Sequence, residues 1–368
     1  MIRKFFFSLT LFLVLAVGFF DWQFKQSPDP NWGLNFSITH AQYLGFDWKK
    51  MFQEMLDDLK PKRLRIMALW ETIEQEQGKF IFDDLDYILR QGVERDIKII
   101  VSIGHKQPGW PECHHPDWYN KLTTYQQDEA QLAMVRQTVL HLKKFNSVSA
   151  WQVENEPFFV FGPDCPAISK DLLAREIALV RSLDPRPIIL TDSGEKGWWL
   201  PTARFGADVF GSTMYRKIYH AKRQKYVQYF VPPIWYRIKG GMLRYFFDID
   251  RVIGVELQAE PWYESDVFST PWEKQKALMN GAILNEYVDY ASRAGLAENY
   301  FWGVEWWYYG KEKFNDPEMW ETAKEILNPK PFLFFRQPEV PQRISGIMRD
   351  SSATMPQNDS AFHLGFRY

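Results

Sequence analysis

The sequence predicts an α/β fold, a closed (β/α)8 TIM barrel in a single domain behind an N-terminal signal or anchor helix. Three observations point to it. From Trp32 onward, short apolar runs alternate with amphipathic segments, the order of a parallel sheet with crossover helices. There are eight such runs, which fits a closed barrel better than an open sheet. No Gly-rich phosphate loop follows the first run, as a doubly wound nucleotide-binding sheet would require.

The eight candidate strands are Leu34–Ile38, Arg63–Ala68, Lys98–Ile103, Val148–Val153, Pro187–Thr191, Asp208–Thr213, Val252–Leu257 and Asn299–Val304. Most are continuously apolar rather than alternating, as expected for strands covered on both faces. Between them, Trp48–Leu59 carries apolar residues at Trp48, Met51, Phe52, Met55, Leu56 and Leu59, a helical rhythm. Leu85–Arg95, Glu129–Phe145, Lys170–Leu183 and Glu273–Ala294 read the same way.

Ahead of the barrel, Arg3 and Lys4 precede an apolar run from Phe5 to Phe20. That run is short for a transmembrane helix, which needs about 20 residues. Ala16-Val17-Gly18 fits a small-x-small cleavage site, whereas Phe19 and Phe20 behind it fit poorly. Residues 1–22 therefore read as a signal peptide or an uncleaved signal anchor, and either places the folded domain outside the cytoplasm. Residues 23–31, with Ser27, Pro28, Asp29 and Pro30, read as a linker, and 32–335 as the barrel. Within it, 216–251 is a long insertion rich in Lys, Arg and aromatics. Its readings are an elaborated sixth helix, a cleft wall, or an interfacial membrane patch. Residues 336–368 read as a poorly ordered tail.

Composition narrows the function classes. A formal net charge of -2 suggests no nucleic-acid partner. Aromatics reach 17% of the chain, with 16 Trp, 17 Tyr and 29 Phe. A large core explains this as well as a carbohydrate cleft does, since sugar rings present apolar C–H faces to flat aromatics. Only two cysteines are present, which excludes a disulfide-dense scaffold and permits one bridge.

In such a barrel, chemistry resides at the C-terminal ends of the strands. Glu154 and Glu156 follow the fourth strand, Asp192 follows the fifth, Glu256 and Glu260 lie around the seventh, and Glu305 follows the eighth. Strands four and seven stand nearly opposite, so carboxylates there flank anything bound across the mouth. A lone Asn-Glu-Pro is usually a turn. Its place after an apolar strand, opposite a second glutamate, makes a functional pair the stronger reading.

Trp151-Gln152-Val153-Glu154-Asn155-Glu156-Pro157 resembles the Asn-Glu-Pro signature of glycoside hydrolase clan A. Gln258-Ala259-Glu260-Pro261-Trp262 is similar to that clan's nucleophile segment. Arg63-Leu64-Arg65, then Trp70 to Glu74 and Gly78 to Asp86, resembles its second βα unit. The likeness spans Trp32 to Leu327 and is closest in style to cellulase-like family 5. It implies a retaining O-glycosyl hydrolase cleaving β-linked oligo- or polysaccharides, without metal or cofactor. Glu156 is then the acid/base and Glu260 the nucleophile. Asn155 holds the sugar 2-hydroxyl, Arg65 and Tyr215 support the nucleophile, and His105 contacts substrate. Trp302 or Trp306 forms the sugar platform. One departure is Thr191-Asp192-Ser193-Gly194-Glu195, where many family 5 members carry a histidine.

Rival readings remain at this stage: a non-catalytic glycan-binding barrel, a metal-dependent hydrolase, and a transglycosylase using the same residues. His105, Cys113, His114 and His115 invite a metal, but adjacent histidines share one ion poorly. Glu154 has two readings, a charge lining the barrel interior or a structural hydrogen-bonding group. Glu256 has the same ambiguity beside Glu260, whose role leans on the strand count and yields to Glu256 if that count is off. Cys113 and Cys165 follow adjacent strands, so in an oxidising compartment a disulfide between their loops is expected. Oligomeric state, sugar identity and exo or endo action are not legible.

Overall fold

The computed structural model describes residues 2–27, 29–162 and 165–329. The tail expected at 336–368 lies outside the described residues. The barrel strands are β1 (Asn31–Phe36), β2 (Arg63–Met67), β3 (Lys98–Ile103), β4 (Val148–Val153), β5 (Ile188–Asp192), β6 (Val209–Met214), β9 (Val252–Gln258) and β10 (Glu298–Trp302). They close in that order, all parallel. A small antiparallel hairpin, β7 (Lys217–His220) and β8 (Lys225–Gln228), lies outside the closed sheet.

The continuous apolar runs have the burial expected of them. One side of each strand joins the main core beneath the helices, with Leu34, Leu64, Ile66, Val101, Trp151, Leu190 and Phe210 among its members. The other side fills the barrel's lower interior with Ile100, Ala150, Ile189, Val209, Ile253, Val255 and Tyr300. Above that apolar plug the interior turns polar, and the site is built there.

Local chemistry explains where helix ends depart from expectation. The third crossover helix begins earlier, at Thr124, because Thr123 and Gln126 form a reciprocal capping box. The expected helix Glu273–Ala294 is two helices, Trp272–Leu278 and Gly281–Ala294. Asn280 divides them, since its side chain accepts from the Ile283 N–H and starts a new helix. The helix at Trp48 passes into a π turn over Met55–Leu59 and ends at Lys60, which has a left-handed backbone. The 216–251 insertion resolves into the β7–β8 hairpin and a helix at Pro233–Phe247.

β9 carries one irregularity that matters. Gly254 pairs with Ser212 and Asn299, but the next pairs are Glu256 with Thr213 and Leu257 with Phe301. β9 thus holds one extra residue relative to both neighbours, a bulge at Val255–Glu256. The expected linker is no free tether: Phe24 is buried, and the N-terminal helix Ile2–Gln23 runs directly into it. Cys113 and Cys165 are joined by a disulfide, as expected from their neighbouring loops.

Candidate active site

The bulge decides which glutamate of β9 enters the mouth. Alternation would send Val255 and Glu256 to opposite faces, but an extra residue breaks the alternation and re-aims the side chain after it. Val255 stays in the barrel's apolar plug. Its carbonyl, freed from regular pairing, accepts from Asn35 Nδ2 at 2.9 Å and Arg65 Nη1 at 3.3 Å. Glu256 then lies over Arg65, whose Nη1 donates to Oε1 at 2.9 Å, while the Tyr215 hydroxyl donates to Oε2 at 2.9 Å.

Arg65 is fully buried and forms the hub of this layer. Besides Glu256 it donates to Asn35 Oδ1 at 2.9 Å, Gln152 Oε1 at 2.8 Å and Asn155 Oδ1 at 3.2 Å. Asn155 Oδ1 also accepts from Gln152 Nε2 and the Thr191 hydroxyl. With its oxygen held by three donors, the Asn155 amide has one orientation. Its NH2 is turned to Glu112, 3.4 Å away.

Glu156 follows on the same turn, with a left-handed backbone and its N–H given to the Thr191 hydroxyl at 2.8 Å. Its carboxyl accepts from Thr213 Oγ1 at 3.1 Å. Burial holds this carboxyl well above the ordinary range, and the charges of Glu256 and Glu112 add to the effect. The site therefore contains one glutamate biased toward its protonated form by burial and another paired with a guanidinium and a phenol.

Glu260 is placed differently from the sequence expectation. Arg65 and Tyr215 serve Glu256 instead. Glu260 lies on the loop beyond β9, where Trp302 Nε1 donates to its Oε1 at 2.9 Å and its other oxygen has no partner among the described residues. Burial raises it to about 7, the reverse of the low value a nucleophile needs. The platform alternatives also separate. Trp306 is buried among the helices, with Nε1 on Gln275 at 2.7 Å, so it presents no face to a ligand. Trp302, partly exposed and held by Glu260, remains.

His105 gives its backbone N–H to Glu154, and its ring packs against Trp70, His115 and Tyr119. Burial, with His115, His114 and Lys106 close by, lowers it to about 3, so it is neutral. Glu154 faces the helix layer rather than the interior. It accepts from the N–H groups of His105 and Lys106 and from Gln131 Nε2, at 2.6–2.8 Å. Gly104, with φ +121°, leaves this carboxylate room that a Cβ would fill.

Several site residues have no local signature. Glu112 arrives from the loop pinned by the disulfide, beside buried Lys106 at 3.5 Å, and burial lifts its carboxyl to about 7. Trp262 meets the Tyr215 ring at 5.5 Å. Glu195 accepts from the Tyr215 N–H and the Tyr236 hydroxyl. Asn35 and Gln152 were readable in principle, as polar residues inside apolar strands.

No protein-family model matches this chain, and no curated protein does. Solved structures do. An endo-β-1,4-xylanase of glycoside hydrolase family 10 from Gloeophyllum trabeum superposes with a TM-score of 0.52 at 14% identity, over 81% of this chain and 96% of that one. GH5_18 from Streptomyces cattleya, in complex with GlcNAc, gives 0.52 at 15%, over 76% and 71%. The exo-β-1,4-mannosidase Op5Man5 from Opitutaceae bacterium strain TAV5 gives 0.50 at 17%, over 74% and 52%. The closed parallel barrel is the fold this chain shares with these family 10 and family 5 structures. At these identities the likeness is one of fold, and the chemistry must be argued from the side chains.

Proposed function

We propose that this protein is a retaining O-glycosyl hydrolase acting on β-linked oligo- or polysaccharides, with Glu156 as acid/base and Glu256 as nucleophile. Glu256 replaces Glu260 in that role. The observation that carries the reading is the unequal treatment of two facing glutamates. Arg65 and Tyr215 together hold Glu256 ready to attack, whereas burial and the charge of Glu256 keep a proton on Glu156.

In the first step, Glu256 attacks the anomeric carbon as Glu156 passes its proton to the departing oxygen. Glu156, now a carboxylate, takes a proton from water, and that water releases the glycosyl-enzyme. The Asn155 NH2 group, fixed by its three donors, supplies a hydrogen bond to the sugar 2-hydroxyl, with Glu112 as an acceptor on the other side. Trp302 offers a flat face, and Glu260 positions it.

The N-terminal apolar helix and the disulfide support a place outside the cytoplasm, and we infer that the helix stays attached as an anchor. A panel of aryl β-glycosides and β-glucan, xylan and mannan polymers tests the reading. Hydrolysis is expected for at least one, with the β-anomer formed first by proton NMR. First formation of the α-anomer, or undiminished turnover by Glu256→Ala, would refute it.

A further inference from the structure

The N-terminal helix is seated on the barrel. Its last turns lie against the insertion helix Pro233–Phe247, where Gly240 and Gly241 leave the surface bare. The Phe20 backbone fills the space a side chain at Gly241 would need, and the Phe24 ring does so at Gly240. Asp21 pairs with Arg237 at 2.6 Å, and the Phe19 and Phe20 rings meet Tyr245 at 5.3 and 6.2 Å. Beyond the seat, Lys25 pairs with Asp250 at 2.9 Å and the Ser27 N–H donates to the Gly295 carbonyl. Asp250 precedes β9 and Gly295 precedes β10, so this contact lies at the end of the barrel opposite the mouth.

Around the seat, Trp22 (77%), Tyr245 (57%), Phe246 (54%) and Phe247 (36%) stay exposed. They continue the apolar surface of the N-terminal helix, which is exposed from Phe6 to Leu15. The apolar run Phe5–Phe20 spans about 24 Å as a helix. A hydrocarbon core is about 30 Å thick, so this run alone falls short of it. Aromatic rings beside a spanning helix are the groups that settle at the headgroup boundary. Lys25, Arg244 and Arg251 stand around the cluster on the same end of the barrel.

We infer that the C-terminal end of the insertion helix, with Trp22, is a bilayer-docking face. Its occupant is the interface of the membrane that the N-terminal helix crosses. The barrel then stands on the lipid with its mouth opening away from it, toward glycans in the surrounding compartment. This rests on the reading that the N-terminal helix is retained as an anchor.

The full-length chain in phosphatidylcholine/phosphatidylglycerol vesicles provides the test. Both native cysteines are paired, so Phe246→Cys and Phe268→Cys each take one nitroxide label. Phe268 is an exposed residue of the loop beyond the C-terminal end of β9, on the mouth side. Failure of the protein to float with the vesicles would refute the anchor. With flotation, the label at 246 should favour oxygen over an aqueous nickel chelate several-fold more than the label at 268. Equal ratios would overturn the docking face while leaving the anchor standing. Gly241→Leu should unseat the helix, and Asp21→Lys should weaken the seat without steric load. In either variant the 246 label should become water-exposed with flotation and circular dichroism unchanged. A label still shielded in both would overturn the seat.

Discussion

Glu156 and Glu256 are both glutamates of one barrel mouth, yet their neighbours treat them differently, and burial pushes Glu156 upward. Arg65 and Tyr215 give Glu256 two donors, and Glu156 receives one hydroxyl in a buried, negatively charged setting. Replacing Glu256 by Gln should reduce turnover by about 10³-fold or more, since a covalent route is lost. Glu260→Gln should cost at most about 10²-fold, through the Trp302 ring it positions. Measured kcat values for the two variants in one assay check this ordering, and the reverse ordering would return the nucleophile to Glu260. The acid role gives a pH prediction with a definite sign. Glu156 must carry its proton to act, so kcat/KM should fall as pH rises through its elevated pKa. Glu156→Ala should lose that alkaline limb and recover turnover of an activated aryl glycoside when azide is added. An alkaline limb unchanged in the variant would assign it to another group.

At the scale of elements, Glu154 shows how a carboxyl beside the site serves the scaffold. It ties the β3 turn to the helix layer through two backbone N–H groups and Gln131, which also donates to Glu176. Burial raises Glu154 from 4.5 to about 7 and drives Glu176 up as well. A raised folded pKa means the native state holds protons the unfolded chain has released. The stabilisation is thus complete below about 4.5 and lost as pH rises through about 7. Glu176→Gln, which keeps the shape, should flatten the fall of melting temperature across that window. Parallel curves for parent and variant would contradict the pairing. The disulfide acts at the same scale. It closes a separation of 52 residues and pins the loop that brings Glu112 to Asn155. Its reduction should destabilise the fold by about 3 kcal/mol. That loss should appear in calorimetry as a melting point lower by on the order of 5–10 °C.

For the whole molecule, the eight strands were legible because burial on both faces writes them as unbroken apolar runs. The Asn155-Glu156-Pro157 motif was legible because it is local. The choice of Glu256 over Glu260 was not, because the entry of Glu256 into the mouth depends on a bulge that no residue type announces. Counting along β9 made Glu260 look equivalent, and only the register against β6 and β10 separates them. The insertion was hidden for a related reason. Its aromatics and cations suit several structures, and the hairpin and helix are selected by tertiary contacts such as Tyr290 on the Val231 carbonyl. Glu112 is far from Asn155 in sequence, so their meeting depends on loop closure. The central claim is a covalent intermediate on Glu256. Activated 2-deoxy-2-fluoro β-glycosides slow its breakdown, and peptide mass mapping of the inactivated protein locates the sugar. The expected result is one glycosyl adduct on Glu256; an adduct on Glu260, or no adduct from a glycoside whose unfluorinated parent is hydrolysed, would contradict it.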